Sequence, residues 1–526
     1  MRRILSLVLV VLFLAMGRAT FLAGQEPEKE AKPAGEKAAG EKAAESPKPK
    51  EESSVTEHTI RIGGATIPYK ATAATILLKD EKGEPKASVF FVAYTRSDVK
   101  ELSQRPVSFL YNGGPGSSTC WLHMGAFGPK RIVTSNAQPT PPPPYRLEDN
   151  PNSLLDKTDL VFIDAIGPGF SQAVGKAKNK DFWGIDQDAK AFAEFINTYV
   201  SRNNRWNSPK FLIGESYGTF RSAALGNYLQ SHDGMDLNGI VLISTVLDLS
   251  TISFPEGNDL PFIFYLPSYA ATAWFHKVLK ERPTDLNEFL TRARQFASTE
   301  YADALMKGSN LGAEERASVV KKLSAFTGLS EDYLSKGQLR INLPQFMEEL
   351  QRASGQTTGR LDSRFSGPTL DLLGEYAAYD PQETAITGAF TAALNDYMRR
   401  ELKFGQDKTY NIMSEDAGRE WDWKRQAGRG RGYGFPGAPN VERDLAEALV
   451  SNAHLQVQVE NGLYDLATPF FATEYTMDHL GVPPELRKHI HMEYYDAGHM
   501  MYLRDESLAK LKGNVGDFVE SASRPK

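Results

Sequence analysis

Six short runs of this chain are nearly all apolar: Val107–Tyr111, Leu160–Ile163, Phe211–Ile213, Ile240–Ile243, Leu455–Val459 and Ile490–Tyr494. A strand with one wet face alternates apolar and polar residues, whereas a run apolar on both sides must be covered on both. Separated by helical stretches, these runs predict the central strands of a parallel sheet flanked by helices. Asp186–Tyr199 has apolar residues at helical spacing and fits a crossover helix. Upstream, His58–Ile67, Thr72–Leu78 and Ala87–Tyr94 are rich in β-branched and aromatic residues, with a turn cluster at Lys82–Pro85. They predict an antiparallel start to the same sheet.

From about Pro255 to Gly437 the alternation stops. The pattern there is mainly helical, clearest at Ser330–Leu334 and Leu343–Ala353, and contains no convincing buried strand. Residues 255–437 are therefore expected to form a helical cap over the strand ends, where α/β folds bind ligands. Residues 55–254 and 438–526 then make the two parts of one core. Gly428–Gly437 (GRGRGYGFPG) is too rich in glycine for regular structure and reads as a surface connection or an active-site loop.

The N-terminus reads as an export signal. Arg2 and Arg3 precede the apolar run Leu5–Met16, and small residues at Gly17, Ala19 and Ala23–Gly24 offer cleavage points. Arg18 leaves the run short for a bilayer span. Residues 1–24 are thus expected to be removed, giving a secreted or periplasmic protein with no stable membrane insertion. Residues 25–54 are low in complexity, with GEKAA repeated at 35–39 and 40–44, and cannot offset their ordering entropy by burial. The net charge of −6 argues against a nucleic-acid partner. Cys120 is the only cysteine, which excludes an intramolecular disulfide and a multi-cysteine metal site.

The chemistry centres on Gly214-Glu215-Ser216-Tyr217-Gly218, directly after the run Lys210–Ile213 and before the helix-compatible Arg221–Leu229. GxSxG arises by chance, and an ordinary strand–helix turn would also carry glycines. Strand before and helix after are what a nucleophile elbow of the α/β-hydrolase fold requires. A serine nucleophile needs a base, and the base an orienting acid, in the chain order Ser, Asp or Glu, His. His499 fits, in the turn after His489–Tyr494. His454, His479, His489 and His491 sit inside or before strand and helix patterns. His489, His491 and Glu493 could suggest a metal, but alternation along one strand explains them, and no metal is expected. Asp465 lies in the loop after Leu455–Glu460; Asp478 falls in the helical pattern Phe470–Leu480, and Asp496 is too close to His499. The run Val107–Tyr111 leads into Asn112-Gly113-Gly114-Pro115-Gly116-Ser117-Ser118, whose glycines can bring bare N–H groups to a substrate oxygen. No P-loop Lys-Ser/Thr follows and GxGxxG spacing is lacking, so no phosphate-bearing cofactor is expected.

Asn112–Ser118, Asp164–Ser171 (DAIGPGFS), Gly214–Gly218, Asp465 and Gly498-His499-Met500 together resemble the landmarks of the serine carboxypeptidases, in order. The resemblance implies a Ser216, Asp465 and His499 triad cleaving the C-terminal residue of peptides through an acyl-enzyme. It also implies oxyanion N–H groups from Gly114 and Tyr217. The substrate carboxylate would be bound by Asn112 and Glu215 beside Gly113, with Glu215 protonated at acid pH. Relatives with the same triad act as esterases or acyltransferases, and a non-catalytic scaffold would have no reason to keep all three residues. Three positions depart from the pattern: Ser117 replaces a cysteine, Leu463 an aspartate, and Ala126 the glutamate that would share a proton with Glu215. Without that neighbour Glu215 is expected to ionise at lower pH, which would weaken preference for free C-termini.

Overall fold

A computed structural model of the chain describes residues 49–425 and 437–524. The export signal, most of the low-complexity stretch and nearly all of Gly428–Gly437, including Arg429 and Arg431, lie outside the described residues.

The nine longer strands are β1 (Ser53–Ile62), β2 (Ala65–Lys79), β3 (Pro85–Arg96), β4 (Val107–Tyr111), β5 (Asp159–Ile163), β6 (Lys210–Glu215), β7 (Gly239–Ile243), β8 (Gln456–Gly462) and β9 (Ile490–Tyr495). They form one sheet in the order β1-β2-β3-β5-β4-β6-β7-β8-β9. The pairs from β1 through β3 to β5 are antiparallel, and every later pair is parallel. This is the α/β-hydrolase arrangement, a mostly parallel sheet with an antiparallel N-terminal edge.

Side chains of the central strands alternate between two covered faces. Leu110, Phe162, Ile213 and Val241 point to one core, with helix Asp505–Ala522 against it. Phe109, Val161, Leu212 and Leu242 point to the other, under α1 (Ile185–Arg202) and α2 (Tyr217–Ser231). Strands apolar on both sides are the consequence.

The sequence reading departs from the structure in three places. His58–Ile67 is not one strand: Gly63 and Gly64, at φ 55° and 86°, turn the chain between β1 and β2. Two residues at positive φ make a tight hairpin, a role the glycine pair suits. The low-complexity stretch also ends earlier than residue 54. The Thr75 N–H donates to the Glu52 carbonyl at 2.9 Å, and Arg202 pairs with Glu51 at 2.8 Å. Backbone pairing is available to charged residues, so composition does not mark where it begins. Finally, residues 255–437 divide between two places. Helices from Leu260 to about Leu350 pack around their own core with Tyr269, Phe289, Val320 and Phe346. Helix Pro381–Arg400 instead covers a sheet face through Phe390, Leu394 and Tyr397. Between them, Gln356–Thr358 and Ser366–Pro368 pair as a small antiparallel hairpin.

Candidate active site

Strand order fixes where the candidate residues meet. β4 leads outward to β5, whereas β6 lies on its other side, so the sheet changes direction between β4 and β6. Loops leaving the carboxyl ends of two such strands part and open a crevice. Tyr111 pairs with Gly214, which puts Asn112–Gly114 beside Glu215–Tyr217. Ile243 pairs with both Glu215 and Glu460, and Gly462 with Tyr495, bringing the loops after β8 and β9 to the same edge.

Ser216 occupies the turn between β6 and α2 at φ 59°, ψ −128°, a conformation a non-glycine residue keeps only when its surroundings impose it. Its N–H donates to the Ile243 carbonyl at 2.9 Å, and its own carbonyl accepts from Thr219 N at 2.8 Å and Oγ1 at 2.7 Å. The partly exposed hydroxyl makes no hydrogen bond among the described residues. Gly113 must be glycine, since a Cβ there would collide with the Tyr217 backbone nitrogen and come within 2.8 Å of the Glu215 carbonyl. The Tyr217 N–H opens α2, where amides have no partner within the helix. Gly114, at φ 104°, lies on the loop facing it.

His499 and Asp465 are joined at 2.7 Å, Nδ1 to Oδ2, and both are buried. The carboxylate also accepts from Ala467 N at 2.7 Å, Thr468 N at 2.9 Å and Thr468 Oγ1 at 2.8 Å, which fixes its plane. With Nδ1 engaged, Nε2 is the free ring nitrogen. Burial alone would lower the imidazole pKa, but the Asp465 charge and hydrogen bond, with Glu215 behind them, outweigh it and raise it above the usual value. Among the described residues no group of three or more metal-ligating side chains comes together.

Glu215 corrects one sequence expectation. Asn112 Nδ2 donates to its Oε1 at 2.9 Å, while Leu122 N donates to Asn112 Oδ1 at 3.0 Å. Oε2 is buried beside the Tyr502 hydroxyl, close enough to interact but without a well-aligned hydrogen bond. Burial pushes the Glu215 carboxyl up to about 7, against the weaker pull of His499. Loss of a carboxyl neighbour at Ala126 therefore does not return Glu215 to ordinary acidity, because desolvation does the work that charge repulsion was expected to do. Tyr502 packs against the preceding residue, Gly125, its ring lying 2.7 Å from where a Cβ there would stand.

Comparison with known proteins points to the family that the sequence resembles. A family model described as serine carboxypeptidase matches residues 78–327. Residues 78–327, a little under half of the chain, thus match the serine carboxypeptidase family. Its curated relatives include the pheromone-processing carboxypeptidase KEX1 of Saccharomyces cerevisiae, 27% identical over 198 residues, which cover 35% of this chain and 26% of that protein. The match thus spans about a quarter of the length of the curated relative. The crystal structure of the prohormone-processing carboxypeptidase from the same yeast superposes with a TM-score of 0.54 at 17% identity, covering 86% of this chain and 91% of that one. At that identity the likeness speaks for the fold.

Several supports of this candidate site carry no local sequence signal. Arg221, fully buried, pairs with Asp188 at 2.6 Å and donates to the Asn112 carbonyl at 2.8 Å, so α2 holds the glycine loop in place. The hairpin loop Gly359–Phe365 wedges between the loops carrying Asp465 and His499. The Leu361 carbonyl accepts from His499 N at 2.6 Å, Asp362 Oδ2 from Gly498 N at 3.1 Å, and the Arg360 carbonyl from Leu466 N at 3.0 Å. Asp362 is in turn held by the buried Arg364, which also reaches the Asp496 carbonyl at 3.2 Å. Residues more than a hundred positions apart are involved, so only the fold brings them together.

Proposed function

We propose that the protein is an exported serine-type carboxypeptidase that removes the C-terminal residue of peptides, with Ser216, Asp465 and His499 as its catalytic triad. The observation that carries this reading is the buried His499–Asp465 hydrogen bond of 2.7 Å at the strand edge that also presents the strained Ser216. In this reading the Ser216 hydroxyl attacks the last peptide carbonyl while His499 Nε2 takes its proton. The oxyanion is met by the N–H groups of Gly114 and Tyr217. His499 then gives the proton to the departing amine as the C–N bond breaks, and water releases the acyl group by the same steps in reverse. In free enzymes the serine–histidine bond is often long and tightens with substrate, consistent with the unbonded Ser216 hydroxyl. No described helix is long and apolar enough to cross a membrane; the charged and apolar N-terminus supports export.

Asn112 and Glu215 are proposed to bind the substrate carboxylate, the proton of Glu215 residing on Oε2, the oxygen that Asn112 does not engage. The test is the ratio of kcat/KM for matched peptides ending in a free acid or an amide, in which effects on His499 cancel. Below about pH 7 Glu215 is protonated and donates; above it the ionised carboxylate repels the substrate. The acid preference should therefore be large at pH 5–6 and fall as pH rises through 7, and Glu215→Gln should flatten the profile. A wild-type ratio independent of pH would place carboxylate recognition elsewhere. Labelling by a fluorophosphonate with turnover of esters but of neither peptide would favour the esterase reading.

A further inference from the structure

The loop Gly359–Phe365 carries two arginines with opposite fates. Arg364 is buried and spent on Asp362 and the Asp496 carbonyl. Arg360 is exposed, and among the described residues its guanidinium takes part in no ion pair or hydrogen bond. Its backbone is pinned nonetheless: its N–H donates to Asp380 Oδ2 at 2.9 Å and its carbonyl accepts from Leu466 N. The next residue, Leu361, is bonded to the catalytic histidine's backbone. Arg360 thus stands between the loops of the proposed acid and base, and its charge reaches His499, Tyr265 and Glu383. An unpaired guanidinium on an anchored backbone loses little by binding an anion, and its planar fork matches a carboxylate.

The base that protonates a departing amine must lie against the departing residue. Arg360 is exposed on the loop whose backbone is bonded to both Leu466, next to Asp465, and His499, which sets its side chain at the margin of the same space. We propose that Arg360 is a specificity-determining residue that binds a carboxylate carried by the departing residue of the substrate. This rests on the carboxypeptidase reading above. The carboxylate has two sources, the side chain of a terminal Asp or Glu, or the α-carboxylate itself, and the two are separable.

The experiment measures kcat/KM for peptides identical except for a final Asp, Asn or Lys, in wild type, Arg360→Gln, Arg360→Lys and Arg360→Glu. Arg360→Gln should lower kcat/KM for the Asp peptide about tenfold relative to Asn, consistent with a partly exposed charge-assisted contact of roughly 1–1.5 kcal/mol. Arg360→Lys should restore part of it, and Arg360→Glu should favour the Lys peptide. An equal loss on all three peptides with Arg360→Gln, absent for their amides, assigns the α-carboxylate as the partner. Because the side chain is exposed and unbonded, the melting temperature should not change. Unchanged kinetics in every Arg360 variant would overturn the proposal while leaving the carboxypeptidase reading intact. Failure of wild type to cleave any of the free-acid peptides would instead remove that reading itself.

Discussion

Ser216→Ala should lower kcat on peptide substrates by ~10⁴-fold or more and abolish fluorophosphonate labelling, with no loss of fold. The hydroxyl is partly exposed and makes no hydrogen bond among the described residues, so removing it leaves no buried partner unsatisfied. The strained backbone at φ 59° is held by Ile243 and Thr219 through main-chain groups that alanine retains. Binding should survive as well, because Asn112 and Glu215, the proposed carboxylate ligands, are left intact. The measurements are single-turnover kinetics, labelling and a thermal melt on the same preparation. Turnover within tenfold of wild type would show that another residue supplies the nucleophile.

Asp362→Ala should have the second largest effect, and it acts on stability and catalysis together. Asp362 and Arg364 form an ion pair whose side chains are 1% and 3% exposed. Removing the carboxylate leaves a buried guanidinium without its counter-charge, at a cost of about 3–5 kcal/mol. It also frees the Gly498 N–H, whose bond to Asp362 Oδ2 sets the turn preceding His499. The expected result is a melting temperature lower by several degrees and a kcat lower by one to two orders of magnitude, with KM less affected. Replacing both partners by apolar residues of similar volume, Asp362→Leu with Arg364→Met, should recover much of the stability but not the activity. The lost turnover would then be traced to positioning of the base. Full activity in Asp362→Ala would show that the remaining contacts hold His499 without the hairpin.

Much of the fold was legible in the sequence because of the burial geometry of its sheet. Strands covered on both faces must be apolar on both, so Val107–Tyr111, Phe211–Ile213 and Ile240–Ile243 stand out against the helices between them. Ser216 was legible as a candidate nucleophile because an elbow demands small residues around the serine at fixed spacing. His499 and Asp465 were singled out as candidates by chain order, since each lies just beyond a readable strand, and the fold brings them within 2.7 Å. The first hairpin was misread because β-branched residues flank the glycine pair on both sides, and periodicity does not register a turn of two residues.

Two things were decided only by tertiary structure. One is the acidity of Glu215: whether a carboxyl is charged depends on how much water reaches it, and a missing neighbour at Ala126 does not report on burial. The other is the support of the proposed triad. Arg221 with Asp188, and the hairpin of Asp362 and Arg364, are ordinary charged residues in sequence, where a charge by default faces solvent. They become part of the site because the chain folds helices and a hairpin from distant segments onto the loops at the strand ends. Sequence thus determined which residues could perform the chemistry, through local spacing and apolar runs. Their environment and anchoring depend on long-range contacts, and those exist only once the sheet has set its strand order.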